Sequence, residues 1–193
     1  MPFPLHHPAF ALWLLWPVWS ASWMIAALWA SPAARRPGTP AERRAVILVV
    51  LGFILLFIEP PGLAPFGRLW AAPMPFAWAM VVATAAGFAL CWWARLHLGR
   101  LWSFQTTTKA GHRVVDTGPY AFARHPIYSG VLLAALARAL QAGTPLALVG
   151  FAVLAVAFWL KAGVEEAFLA AELGEDAYGA YAARVRRLVP FLF

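Results

Sequence analysis

Most side chains that could do chemistry lie in two segments of the second half of the chain. The first segment spans residues 117–130 and contains Arg124, His125 and Pro126 in a row. Pro126 suits the first turn of a helix, whose free backbone N–H groups and partial positive charge attract anions. Gly130, one turn further on, leaves room for a ligand or for a neighbouring helix. This segment is suited to a small anionic ligand.

A pair of carboxylates marks the second segment. Lys161, Glu165 and Glu166 fall at positions i, i+4 and i+5 of one predicted helix. If the carboxylates face inward, they could hold an ammonium or sulfonium, while the basic residues around Arg124 hold the carboxylate of the same ligand. An amino-acid-like zwitterion would satisfy both groups. The alternative is an ordinary solvated helix surface, on which Lys161 pairs with Glu165 and Glu166 faces water.

The order of these residues resembles that of the isoprenylcysteine carboxyl methyltransferase family and its phospholipid methyltransferase relatives. The resemblance covers about residues 111–193. It is carried, in chain order, by Gly118-Pro119-Tyr120, Arg124-His125-Pro126-Ile127-Tyr128-Ser129-Gly130, Lys161, Glu165-Glu166, Leu169, Gly174, Tyr178, Tyr181, Arg184-Val185 and Val189-Pro190-Phe191. The resemblance implies an integral membrane enzyme that takes S-adenosylmethionine from the cytosol and methylates lipid-like substrates entering from the bilayer.

The resemblance also implies which residues form the site. The expected cofactor-binding residues are Tyr120, Arg124, His125, Pro126, Tyr128, Gly130 and Glu166. The expected catalytic residues are Arg184 paired with Glu165 or Glu166, and the expected product of the cofactor is S-adenosylhomocysteine. Lys161 stands where the family often has Arg, which weakens the expectation of bidentate carboxylate binding there.

Methyl transfer from a sulfonium is an in-line displacement, so positioning the donor and acceptor and excluding water are the main catalytic devices. Arg184 would attract a carboxylate or thiolate acceptor. An amine acceptor would need a base, for which His125 and Glu166 are candidates. The sequence leaves the choice between these acceptors open.

Other polar and aromatic residues receive less specific predictions. Four aromatic residues are candidates either for contact with the adenine or sulfonium or for anchoring at the membrane interface, namely Trp102, Phe104, Tyr178 and Tyr181. Arg138 lies within a predicted span, and we expect its guanidinium to reach the outer membrane surface. His125 is the only further candidate ligand for a metal bound by His97 and His112, and no cysteine or carboxylate stands at ligand spacing from them. We therefore expect no metal site.

The elements that must position these residues are membrane helices. The 193 residues are 63% hydrophobic and only 12% charged, whereas a soluble domain has about 25% charged residues. Uncharged runs predict about five transmembrane helices, at residues 8–30, 45–58, 69–94, 127–141 and 146–163. The last two form a helical hairpin that turns at Gly143-Thr144-Pro145, because one straight helix would greatly exceed the bilayer. An amphipathic helix over 165–187 is expected at the cytosolic surface.

The predicted fold is therefore an all-α integral membrane protein with a single membrane domain. Residues 1–95 form its three-helix part, and residues 96–193 form its cofactor-binding catalytic part. All Lys and Arg residues except Arg68 and Arg138 fall on one side, which predicts a cytoplasmic C-terminus and an outer N-terminus. The net charge of +7 follows from this topology and does not imply nucleic acid. The Ala- and Arg-rich composition suggests a bacterial inner membrane.

Two other functions are compatible with parts of the pattern. Membrane reductases of the sterol-reductase type share the Arg-His-Pro-x-Tyr segment and would use NADPH, but the carboxylate pair at 165 and 166 suits a sulfonium better than a polyphosphate. A non-catalytic scaffold or small transporter would have inward charges within broken spans. Here the charges gather at the cytosolic rim, which favours the methyltransferase.

Overall fold

The computed structural model of the protein describes residues 7–30, 38–58, 67–102 and 114–189. Within these ranges it contains six α-helices, which are α1 (Pro8–Ala27), α2 (Pro40–Phe57), α3 (Met74–Leu98), α4 (Pro126–Ala142), α5 (Pro145–Leu173) and α6 (Glu175–Arg184). Two short 3₁₀ helices, Gly99–Leu101 and Gly118–Ala121, lie between α3 and α4 in the chain. The predicted all-helical class is confirmed.

Three residues of the sequence determine where α4 ends and α5 begins. Gly143 ends α4 in the left-handed conformation with φ of 63°, which glycine adopts at little cost. Thr144 then caps α5, since its hydroxyl accepts a hydrogen bond from the Ala147 N–H at 3.3 Å, and Pro145 occupies the first turn. The predicted turn at 143–145 is confirmed.

Three helices are long and apolar enough to cross a bilayer: α1, α3 with the short 3₁₀ turn that follows it, and α5. The sequence predicts five spans. The other two predicted spans correspond to helices α2 and α4, which have 18 and 17 residues. Both lie beside the long helices, and the span count of five stays a prediction.

Helix α5 is longer than predicted and carries the carboxylate pair within it. It continues to Leu173 and stops only at Gly174, whose φ is 92°. The predicted amphipathic helix over 165–187 is therefore wrong: its first part belongs to α5, and α6 supplies only 10 residues. The physical reason is that Ala, Glu and Leu favour helix between 165 and 173, so nothing ends α5 at the membrane edge. Glu165 and Glu166 are consequently fixed on a rigid element.

Close backbone contacts hold the hairpin against the earlier helices. Gly87 of α3 faces Gly130 of α4, and a Cβ added to either residue would collide with the backbone carbonyl of the other. In the same way Gly150 of α5 lies against the backbone of α2 at Leu56. Helix α1 packs on α3 through aromatic rings. These contacts fix the relative position of α3, α4 and α5, and hence of the residues at their ends.

Arg138 of α4 is buried among aromatic rings. Its side chain is 1% exposed, and its guanidinium carbon lies 5.2 Å from the ring centroid of Trp13 and 5.5 Å from that of Phe57. The expectation that it extends to the membrane surface is wrong, because α1 and α2 cover it. Stacking of this kind partly compensates a buried guanidinium for lost hydration.

Candidate functional site

The two chemically rich segments meet at one end of the bundle, where α1, α3 and α5 end and α4 begins. They share a cavity of about 640 Å³, which is within the usual range of roughly 300–1,000 Å³ for small-molecule sites. Its polar end is lined by Tyr120, Arg124, His125, Tyr128, Lys161, Glu165, Tyr178 and Tyr181. Its apolar end is lined chiefly by α1, α2 and α5 through Trp19, Val46, Val49, Val50, Phe53 and Phe158. The cavity therefore joins charged and purely apolar walls.

Glu165 is held on the cavity wall by three neighbours. The Tyr128 hydroxyl donates to its Oε2 at 2.7 Å, and the Lys161 ammonium donates to its Oε1 at 3.1 Å. The His125 Nδ1 lies 3.3 Å from Oε2. Lys161 also donates to the Tyr128 hydroxyl at 2.8 Å. These contacts fix a carboxylate, an ammonium and a hydroxyl at one point of the cavity.

Glu166 lies behind the cavity wall and binds three cationic groups. Arg124 Nε donates to its Oε1 at 2.8 Å, and His125 Nε2 lies 3.1 Å from the same oxygen. Arg187 donates to Oε2 through Nη2 at 2.7 Å and Nε at 3.1 Å. Only 12% of the Glu166 side chain is exposed. The alternative in which Glu166 faces water is therefore wrong, although the Lys161–Glu165 pair that it assumed is present.

His125 joins the two carboxylates, with one ring nitrogen facing each. Its burial would lower the pKa, but hydrogen bonds to Glu165 and Glu166 and their negative charges outweigh burial, so the pKa is raised above its ordinary value. Both nitrogens can donate only in the imidazolium form. The arrangement therefore favours a positively charged His125 near neutral pH.

The cluster carries an excess of positive charge. Lys161, Arg124, Arg187 and protonated His125 contact the carboxylates of Glu165 and Glu166, and the negative charge of Glu42 also acts on Tyr128. Two opposite charges close together largely neutralise each other, so the surplus is what a ligand would sense. The polar end of the cavity is therefore electropositive, with Glu165 as its exposed point of negative charge.

The C-terminal segment at 185–188 is bound along the start of α4. The Arg124 N–H donates to the Arg186 carbonyl at 2.8 Å, and the His125 N–H donates to the Arg187 carbonyl at 3.0 Å. The Ser129 hydroxyl donates to the Leu188 carbonyl at 2.5 Å. This strap, residues 185–188, was not expected from the sequence. It supports Arg124 and His125 from behind and brings Arg187 into the cluster.

Arg184 is not part of the cluster. Its guanidinium lies 3.3 Å from Asp116, and its side chain is 68% exposed. The predicted pairing of Arg184 with Glu165 or Glu166 must be corrected, because Arg124 and Arg187 occupy that place. Arg187 was missed since the sequence offers no way to choose among the arginines at 184, 186 and 187; only the path of the strap separates them.

Gly130 is also placed differently from the prediction. It faces α3, where an added Cβ would lie 2.7 Å from Cys91 Sγ as well as against Gly87. It does not line the cavity. The sequence left open whether a ligand or a helix approaches this glycine, and in the structure it is a helix. By contrast Tyr120, Pro126 and Tyr128 all line the cavity.

The predicted aromatic residues surround the polar end of the cavity where the structure describes them. Trp102, Tyr178 and Tyr181 line it, and the Tyr181 hydroxyl donates to the Tyr120 carbonyl at 2.8 Å. Phe104 lies outside the described residues. In the described part of the chain, no three His, Cys, Asp or Glu side chains are arranged to hold a metal ion.

Comparison with known proteins finds a similar family but no similar curated protein. No curated protein matches the chain. The model of the isoprenylcysteine carboxyl methyltransferase family matches residues 79–171. The match begins in α3 and ends in α5, so it includes the close α3–α4 contact, the start of α4 and both carboxylates, but not α6 or the strap. It confirms the resemblance found in the sequence: residues 79–171 are similar to the isoprenylcysteine carboxyl methyltransferase family.

Proposed function

We propose that the protein is a membrane methyltransferase that uses S-adenosylmethionine to methylate a lipid-like or isoprenoid acceptor. One observation carries the proposal: a single cavity joins a polar end with charges of both signs to an apolar end between α1, α2 and α5. A water-soluble zwitterionic donor suits the first end, and a hydrocarbon chain suits the second. The similarity of residues 79–171 to a methyltransferase family supports the same reaction class.

The residues of the polar end fit the cofactor. Its carboxylate would face the cationic groups of Arg124 and His125, and its ammonium would face Glu165. Tyr120, Tyr178 and Tyr181 provide aromatic surface for its adenine. When bound, the cofactor supplies an electrophilic methyl group on a sulfonium sulfur. The protein would contribute by orienting the reacting groups and by excluding water from them.

Glu166 takes a supporting role in this proposal. It lies outside the cavity lining and binds Arg124, His125 and Arg187. It would therefore hold the cofactor-binding cations in place without touching the cofactor itself. This differs from the expectation that Glu166 binds the cofactor directly.

The acceptor would enter from the membrane between α1 and α2. Met24 and Val50 line the apolar end of the cavity, and 61% and 53% of their surfaces are accessible. In a bilayer these surfaces would contact lipid chains. Lys161 lies on the cavity wall with Phe158 one helical turn before it, and its positive charge favours a carboxylate or thiolate head over an amine. Such acceptors need no base in their ionised form.

The cofactor half of the proposal is tested by binding. Detergent-solubilised protein is titrated calorimetrically with S-adenosylmethionine, S-adenosylhomocysteine and NADPH. We expect the first two to bind and NADPH not to bind. Binding of NADPH alone would instead favour a reductase, and binding of none of the three would favour a scaffold or transporter.

The acceptor half is tested by transfer of a labelled methyl group to lipid thiols, isoprenoid carboxylates and aminophospholipids. We expect label on the thiols or carboxylates. In Lys161→Gln, KM for that acceptor should rise by a larger factor than the Kd for S-adenosylhomocysteine. The neutral side chain no longer attracts the anion, whereas Tyr128 and His125 still hold Glu165. Preferential labelling of aminophospholipids would refute the charge argument.

A further inference from the structure

Arg95, near the end of α3, is a fully buried guanidinium outside the cluster described above. Its side chain is 1% exposed. Its Nη1 donates to the Gly99 carbonyl at 2.6 Å, and its Nη2 donates to the Ala26 carbonyl at 2.6 Å. The first carbonyl follows the end of α3, and the second belongs to the last turn of α1. One side chain therefore binds the C-terminal ends of two helices.

This position is favourable for a cation. The last carbonyls of a helix have no partner within the helix, and the helix dipole gives that end a partial negative charge. Helices α1 and α3 end side by side, so their negative ends lie close together. A guanidinium has several donors in a fixed plane and can bind both ends at once, which the single ammonium of lysine does less well.

The same guanidinium stacks on a wall of the cavity. Its central carbon lies 4.2 Å from the ring centroid of Trp102. Trp102 in turn meets Trp23 edge to face, with ring centroids 5.3 Å apart. Both tryptophans line the cavity, whereas Arg95 does not. Arg95 can therefore affect the cavity through the Trp102 ring, on which its guanidinium stacks.

We propose that Arg95 is a positioning residue for methyl transfer, which orders Trp102 as part of the binding wall for the donor. The inference rests on the proposed function. It places Trp102 on the donor side because Trp102 follows the end of α3, and α3 contacts the 3₁₀ helix Gly118–Ala121 that contains Tyr120. Trp102 and Tyr120 both line the cavity. The residue acts by fixing two helix ends and one aromatic ring together.

The test is a double-mutant cycle with Arg95→Lys and Trp102→Phe, singly and combined. Arg95→Lys should weaken S-adenosylhomocysteine binding about fivefold, the size expected for loss of a cation–π contact. In the Trp102→Phe background the same change should weaken it much less, since the ring on which Arg95 acts is already altered. Arg138→Lys is the matched control, because Arg138 is equally buried against aromatic rings but its ring partners do not line the cavity. The affinity of Arg138→Lys for S-adenosylhomocysteine should stay unchanged.

Near-UV circular dichroism provides a second measurement that needs no ligand. The difference in near-UV dichroism between wild type and Trp102→Phe reports the ordered Trp23–Trp102 pair. This difference should be smaller between Arg95→Lys and the double mutant. An unchanged dichroism difference, or an equal loss of affinity in both backgrounds, overturns the inference. Failure of the wild type to bind S-adenosylhomocysteine would instead refute the proposed function, and the dichroism would still decide the role of Arg95.

Discussion

Replacing Glu166 by Gln is the most informative single change, because this carboxylate holds three cations together. The substitution keeps the size of the side chain and removes its charge. Arg124, His125 and Arg187 then lose their common counter-ion, at contacts of 2.7–3.1 Å. Breaking a buried ion pair by removing one partner costs about 3–5 kcal/mol.

The Glu166 site is not completely buried, which sets the expected size of the effect. The side chains of Arg124 and Arg187 are 11% and 23% exposed, so water can solvate part of the released charge. We therefore expect the lower end of the range, a loss of about 3 kcal/mol in the free energy of unfolding. For a chain of this size that corresponds to a fall in Tm of roughly 6–12 °C. Binding of S-adenosylhomocysteine should also weaken, since Arg124 and His125 lose their support.

The assay is thermal unfolding in detergent, with calorimetric titration of S-adenosylhomocysteine below the transition. Asp116→Asn is the matched control, since Asp116 pairs with Arg184 at the surface at 3.3 Å. Exposed pairs contribute only about 0–1 kcal/mol, so its Tm should shift little. If Glu166→Gln kept the Tm of the wild type and lost only cofactor affinity, Glu166 would be a direct ligand and the argument for a supporting carboxylate would be refuted.

Three further predictions follow from the same geometry. Gly130→Ala should destabilise the protein by about 1–3 kcal/mol, because the added Cβ disrupts the α3–α4 contact. Gly179→Ala is the control: no atom lies near its added Cβ, so Tm should stay equal or rise slightly. A Gly130→Ala protein that is stable but has lost cofactor binding would show that this glycine lies in the binding site. Arg187→Gln should lower both Tm and cofactor affinity, and Arg184→Gln should lower neither, as measured by thermal unfolding and calorimetry. If only Arg184→Gln lowered them, Arg184 would be the partner of the carboxylates, as the sequence predicted. Because the pKa of His125 is raised in the folded protein, its charge stabilises the fold fully below its ordinary pKa of about 6.5 and ceases to do so as pH rises through the raised value. Tm should therefore fall over that range in the wild type and less in His125→Asn, and parallel curves would contradict the bridging imidazolium.

Local chemistry made much of the fold predictable. The turn at 143–145 follows from Gly, Thr and Pro in succession, and the long uncharged runs of α1, α3 and α5 leave few alternatives to membrane helices. The order of residues from Gly118 to Phe191 was enough to suggest the resemblance to the family whose model matches residues 79–171. These features depend on neighbours in the chain, so they can be read without knowing what packs against them.

The partners within the site could not be predicted in this way. Helical spacing placed Glu165 and Glu166 on adjacent faces, but it did not say which would line the cavity and which would bind cations behind it. The role of Gly130 likewise depended on whether a ligand or a helix lay opposite, and Gly87 of α3 supplied the answer. Each question concerns contacts between residues far apart in the chain, which periodicity does not encode.

The sequence by itself determined that this protein is a bundle of apolar helices with a charged cluster at one end, because composition, capping residues and motif order act locally. Tertiary structure alone determined that Arg187 rather than Arg184 joins the cluster and that the Arg95 guanidinium stacks on Trp102. Arginines close together in a sequence have the same charge and reach. Only the path of the backbone, set by hydrogen bonds between the strap and the start of α4, brings one guanidinium to a buried carboxylate and leaves another in solvent.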